Sequence, residues 1–241
     1  QLSDSQVTNI EAYFVNKGAA ARSAFGSRTS FYRGWYNCNS LTSFPLIDTS
    51  LGTNFKYAWY GCSSLTSFPL INTSSGENFN SAWLSCTSLT SFPAIDTSSG
   101  TIFNYAWYNC SSLTSFPAIN TSSGTDFSVA WYNCNSLTSF PAINTSSGTN
   151  FRYAWYNCSS LTSFPANFFD NWSPASITDG VFNQTWDGCG ALTNTSVENI
   201  LVSLAASGVY ASSDGTSGGT SLTDNVIDID YNTSTGSLSS A

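Results

Sequence analysis

Residues 130–158 read AWYNCNSLTSFPAINTSSGTNFRYAWYNC, and the wording starts over before the stretch has ended. Trp35, Trp59, Trp83, Trp107, Trp131 and Trp155 stand 24 residues apart without a slip. Three residues after each comes a cysteine: Cys38, Cys62, Cys86, Cys110, Cys134 and Cys158. A looser seventh copy, VFNQTWDGCGALT, carries Trp186 and Cys189 after an insertion built around ANFFDNWSPASITDG. A period of this size is that of a solenoid, whose coils cannot bury their apolar faces alone and are stabilised by stacking on their neighbours.

Within one unit Phe55, Ala58, Trp59 and Cys62 fall at i, i+3, i+4 and i+7, the stripe of about two helical turns, and Thr53 offers an N-cap. The spacing therefore predicts a short helix in each coil. In SSLTSFPLI the β-favouring Thr, Phe and Ile predict a strand pairing in parallel with its copies, limited to about Thr66 to Phe68 because Pro69 lacks an N–H. The INTSSG segments turn the chain. Stacking would then run each residue type into a column along the solenoid.

The unit AWYNCSSLTSFPAI, with an aromatic after Ala, Cys three later and Leu three after that, resembles the bacterial leucine-rich repeats of BspA-like surface proteins over about residues 25 to 195. SLTSFP with a tail like SVENILVSLAASG is also similar to repeat proteins of marine bacteriophages, notably those infecting cyanobacteria. Two departures are Trp in place of the usual Phe and a proline directly after the strand's aromatic residue. The resemblance implies a leucine-rich-repeat-like α/β solenoid on a virion or cell surface, implicated in adhesion, and brings no catalytic residues with it.

Solenoid ends need covers. Residues 1–30 predict a helical N-terminal cap, with Val7, Ile10 and Phe14 on one face. Residues 31–195 make six regular coils and one degenerate coil. Residues 196–241 supply a C-terminal helix with Val197, Ile200, Leu201 and Leu204 inward and Gly208 as its stop, then an edge strand at Val226 to Tyr231 and a tail.

At 241 residues and 41% hydrophobic content the chain can close a large core. Only 8% is charged, so polarity comes from Ser, Thr and Asn, a surface suited to the outside of cells and virions. The net charge is −8, and beyond Arg152 there is no Lys or Arg while eight acids follow, which disfavours nucleic acid as a partner. The absence of His removes the commonest general base and metal ligand, so no enzyme, metal or cofactor is expected. No apolar run approaches the roughly 20 residues of a membrane span, and QLSDSQVTNI lacks the features of a signal peptide, so processing, export inside a particle or a fragment is expected.

The seven cysteines, an odd number with no C-x-x-C pair, are expected to be buried free thiols, and the tryptophans a core stack. Tyr36, Tyr60, Tyr108, Tyr132 and Tyr156, interrupted by Leu84, follow each Trp, with Tyr57, Tyr105 and Tyr153 as a second partial column. Tyr brings flat apolar area and a hydroxyl, which favours interfaces and sugar faces, although the rings could equally cover the helical side. The slot after the repeat Phe varies as Tyr32, Lys56, Asn80, Asn104, Ser128 and Arg152, a variable strip on a constant scaffold, which surface drift would also produce. Asp228, Asp230 and Asn232 lack the glycine and glutamate of a calcium loop. Thr/Ser ladders invite an ice-binding reading, opposed by the expectation that adjacent Thr and Ser point to opposite strand faces.

These features point to a recognition or adhesion module on a virion or cell surface, a phage tail fibre or other exterior protein binding host envelope polysaccharide or protein. The alternative is a structural subunit stacking end to end into a fibre, helped by basic residues near Lys17 to Arg33 and acidic ones after Asp170.

Overall fold

The computed structural model describes residues 26–173 and 180–208, and in them the 24-residue units wind into a repeat solenoid, each lying on the next. The pairing is visible in the backbone of one coil. Phe55, Tyr57, Trp59 and Gly61 donate their N–H groups to Asn78, Asn80, Ala82 and Leu84 of the following coil at 2.7–3.0 Å. The residues between fold back locally: Ala58 donates to Phe55 O at 3.0 Å, Tyr60 to Tyr57 O at 3.3 Å and Cys62 to Trp59 O at 3.2 Å.

The expected helix in each coil is therefore absent, and the segment is a run of tight turns. An α-helix sends every N–H to the carbonyl four residues back. Here alternate N–H groups leave for the neighbouring coil. The turns place Trp−2 and Trp+2 residues at positive φ, as at Tyr57 (58°), Gly61 (69°), Tyr105 (58°) and Asn109 (57°). A reversal every four residues aligns Phe55 with Trp59 and Ala58 with Cys62, so the buried stripe matches the helical one although the backbone does not. Thr53 is not an N-cap: its N–H and hydroxyl both donate to Thr29 O at 2.8 and 3.2 Å, while the side-chain oxygen of Asn54 accepts from Lys56 N–H at 3.0 Å.

Every Trp+2 residue of the coils is Asn, Gly or Ser, which tolerate the left-handed region, whereas the Trp−2 slot is more varied. Val129, at φ 60°, is β-branched, and holding such a residue there costs about 1–2 kcal/mol. We expect Val129→Asn to stabilise the protein by about 1 kcal/mol, read as a higher urea midpoint at unchanged slope. A lower midpoint would show that the valine side chain contributes more by packing than its backbone loses.

The expected parallel pairing near Thr66 to Phe68 is only one residue wide, with bridges from Ser43 to Ser67 and along Ser91, Ser115, Ser139 and Ser163. Each threonine beside them strengthens the ladder, since Thr90 donates both its N–H and its Oγ1 to Thr66 O at 3.2 Å. Thr66 and Ser67 are both exposed, contrary to the expected opposite faces, because so short a bridge does not impose strand alternation. A second ladder joins Asn54, Asn78, Ile102, Asp126 and Asn150. Inside the turns, the buried Thr97 hydroxyl donates to Asn120 O at 2.5 Å, and the other coils repeat this bond.

Successive indoles stack at 5.3–5.7 Å from Trp35 to Trp186, with phenylalanines edge-on beside them, as Phe116 is to Trp107 at 4.8 Å. All seven cysteines are buried free thiols, and each described Sγ bond runs to the tryptophan carbonyl of the preceding coil, as from Cys110 to Trp83 O at 3.2 Å. Burial pushes the Cys110 thiol up to about 12, and thiolate is the reactive form. The folded protein at pH 8 should therefore leave its thiols unmodified by iodoacetamide, whereas the urea-unfolded chain loses them all, as mass spectrometry would show. Rapid native labelling would contradict the buried file.

Phe151, Tyr153, Trp155 and Asn157 of the sixth coil donate to Val181, Asn183, Thr185 and Asp187 of the seventh. The preceding insertion folds Phe168, Phe169 and Trp172 onto the core, and Trp172 Nε1 donates to Gly148 O at 2.6 Å. Helix α1 (Asn194–Ala206) then covers the end of the Thr66 ladder. The Ser196 hydroxyl donates to Thr162 O and accepts from Phe164 N–H, both at 3.0 Å. Val197, Ile200 and Leu204 face inward as expected, but Leu201 is exposed, and Ser196 and Ser203 take inward positions to bond the last backbone groups. Gly208, at φ 71°, ends the element. Residues 1–25, which hold most of the expected N-terminal cap, and Val226 to Tyr231 with the tail lie outside the described residues.

Candidate recognition face

The Trp+1 slot points away from the indole file, and its tyrosines form a half-buried ladder. Tyr36 stacks on Tyr60 at 4.7 Å, Tyr108 on Tyr132 at 4.9 Å and Tyr132 on Tyr156 at 4.6 Å, with ring planes 10–14° apart. The Trp−2 tyrosines pack edge-on against them: Tyr57 lies 5.9 Å from Tyr60, and Tyr153 lies 5.7 Å from Tyr156. Burial, then the neighbouring tyrosines Tyr156 and Tyr108, hold the Tyr132 hydroxyl above its ordinary pKa.

Sequence reasoning treated the variable strip and the tyrosine column separately, and the structure joins them. Lys56 Nζ stands 5.2 Å from the Tyr57 ring centre, Arg152 lies 5.3 Å from Tyr153, and Tyr32 lies edge-on to Tyr57 at 6.1 Å. Asn80 Nδ2 donates to Asn104 Oδ1 at 2.5 Å, while the Ser128 hydroxyl is tied to Asp126 at 2.7 Å. Arg33, which sequence reasoning missed, lies over Tyr36 at 4.8 Å and near Tyr32 and Tyr57, both at 5.5 Å. Its slot, Trp−2, is the one that holds Tyr57 and Tyr105, and that registry was the available signal. A neighbouring amide ladder, Asn157 Nδ2 to Asn133 Oδ1 at 2.8 Å, also went unnoticed.

Ring spacing differs from file to file. Tyrosines are 4.6–4.9 Å apart, tryptophans of the regular coils 5.3–5.5 Å, and the phenylalanines beneath the Thr/Ser face 5.6–5.9 Å. The tyrosine ladder is thus the most closely spaced of these ring files. Stacking this close also covers the ring faces, so the flat sugar platform expected of these tyrosines is not offered along the column. Ring edges and hydroxyls are offered instead.

Among the described residues no group of three or more Cys, Asp or Glu could hold a metal ion, and no helix is long and apolar enough to cross a membrane. No family model matches the chain, and no curated protein matches it. Two solved structures share likeness with it. A leucine-rich repeat protein of T. pallidum is 21% identical, with 61% of this chain and 74% of that chain covered and a TM-score of 0.36. A leucine-rich repeat protein from Bacteroides ovatus is 13% identical, with 67% and 68% covered and a TM-score of 0.25.

Proposed function

We propose that this solenoid is a leucine-rich-repeat-like recognition or adhesion module on the exterior of a virion or cell, as in a phage tail fibre. Its tyrosine ladder and the adjoining Lys56, Asn80, Asn104, Ser128 and Arg152 strip would hold host envelope polysaccharide or protein. The observation that carries the reading is the ladder itself: stacked phenols, with Arg33 over Tyr36 and with Lys56 and Arg152 laid against the adjoining Tyr57 and Tyr153. Solenoids use extended faces for binding, and tyrosine presents area and hydrogen bonds at low entropic cost. The uncharged Ser, Thr and Asn elsewhere suit an exterior setting. An end-to-end fibre has less support, because Thr193 N–H and the Ser196 hydroxyl already occupy Thr162 O at the C-terminal edge.

Because edges and hydroxyls are what the ladder exposes, Tyr→Phe is the informative change. On a host-glycan array, the Tyr108→Phe/Tyr132→Phe/Tyr156→Phe variant should bind at least about tenfold more weakly than the parent, each lost hydrogen bond contributing roughly 0.5–1.5 kcal/mol. Equal binding by the two proteins would remove the ladder from the function.

A further inference from the structure

The coil around Trp83 departs from its neighbours on the recognition face. It carries Ser81 and Leu84 where flanking coils carry tyrosine, while Phe79, Trp83 and Cys86 remain in file in the core. We propose, resting on the recognition reading above, that this break seats one pyranose ring of an acidic polysaccharide lying along the ladder.

Tyr60 stacks only toward Tyr36, and Tyr108 only toward Tyr132, so each turns one face toward Leu84. A ladder spacing of 4.6–4.9 Å puts these two rings, two coils apart, about 9–10 Å from each other. A leucine side chain is shorter than a tyrosine ring, and the sugar would lie over Leu84 between the outer parts of Tyr60 and Tyr108. A planar group between two rings at carbon contact distance would fill about 7–8 Å. The wider gap suits a puckered saturated ring with C–H groups on both faces.

Tyr105 bears the mark of the same break. Tyr57 and Tyr153 rest on tyrosines of the preceding coil, at 6.4 Å from Tyr36 and 6.5 Å from Tyr132, whereas Leu84 offers Tyr105 no ring. Tyr105 is 39% exposed and inclined only 44° to Tyr108. Around the break stand neutral hydrogen-bonding groups, the Asn80–Asn104 amide pair and the Ser85 hydroxyl, which takes a bond from Asn109 Nδ2 at 3.4 Å. They match the hydroxyls of a sugar.

Charge sets the direction. Lys56 and Arg33 lie on the side of Tyr60, whereas at the far end the acid Asp187 is close enough for its charge to act on Tyr132. A carboxylate or sulfate on the sugar preceding the seated ring would meet the cationic side.

Titration calorimetry of the full chain with oligogalacturonate and with a neutral cello-oligosaccharide of equal length tests the proposal. Tighter binding of the acidic oligomer by about tenfold at low salt, lost in Lys56→Asn, is expected. Leu84→Tyr, which completes the ladder with a residue other coils accommodate, should weaken binding at least tenfold while leaving the circular dichroism spectrum and urea midpoint near those of the parent. Undiminished binding by Leu84→Tyr overturns the seat, yet leaves the recognition reading standing if the triple Tyr→Phe variant still binds weakly. Equal binding of both oligomers overturns the acidic assignment. Binding of neither, or of an aromatic acidic peptide in preference to both, overturns the polysaccharide.

Discussion

Trp107→Ala is expected to destabilise the protein by about 3–5 kcal/mol, the range for truncating a large buried aromatic side chain. Trp107 is fully buried between Trp83 at 5.5 Å and Trp131 at 5.4 Å, with Phe92 and Phe116 edge-on at 5.4 and 4.8 Å. The cavity would open in the middle of the stack and weaken the contact between coils on both sides. Solenoid stability is approximately a sum of coil and nearest-neighbour terms, so a central loss should also make unfolding less cooperative. Trp107→Phe should cost less than half as much. It retains a ring, and it removes an indole N–H that is buried without an acceptor, a group whose burial costs about 1–3 kcal/mol. Trp35→Ala, in the first regular coil, should fall between the two. Urea titration followed by far-ultraviolet circular dichroism measures all three. A Trp107→Ala midpoint within error of the parent would mean that the indole file is not what holds the coils together.

Gly124→Ala should cost about 3 kcal/mol, at the upper end of what overpacking usually costs. An added Cβ would meet Phe127 Cζ at 2.3 Å and Cε2 at 3.0 Å, with Thr121 O at 3.1 Å behind it. The phenyl ring has no easy retreat, since Phe103 and Phe151 stack on it at 5.4 and 5.3 Å. Gly190→Ala is the control: nothing lies within 4 Å of its added Cβ, and the change should be nearly neutral. If both variants unfold at the same midpoint, the glycine of the repeat marks a turn preference rather than a close approach to the phenylalanine file.

The candidate face was legible in part. The tyrosine slots and the variable strip could be named because both fall off the apolar stripe at a constant register. Their merging into one surface could not be seen, because it depends on the reach of Lys56 and Arg152 over rings in adjacent slots. The meaning of Leu84 was similarly hidden. In the sequence it is an interruption, whereas in three dimensions it leaves Tyr60 and Tyr108 each with a ring face turned toward it.

The sequence by itself determined the period, the stacking of coils and the membership of the buried files. Phe, Trp, Cys and Leu recur at fixed positions in chemically identical surroundings, and burial follows side-chain class and register. Only the tertiary structure decided that the Phe55–Cys62 segment is a run of turns rather than a helix, and that the threonine and serine of the ladder are exposed together. The spacing i, i+3, i+4, i+7 fits both backbones equally. What separates them is whether an N–H such as that of Trp59 bonds within its own coil or to Ala82 of the next, and that choice exists only once a second coil is in place.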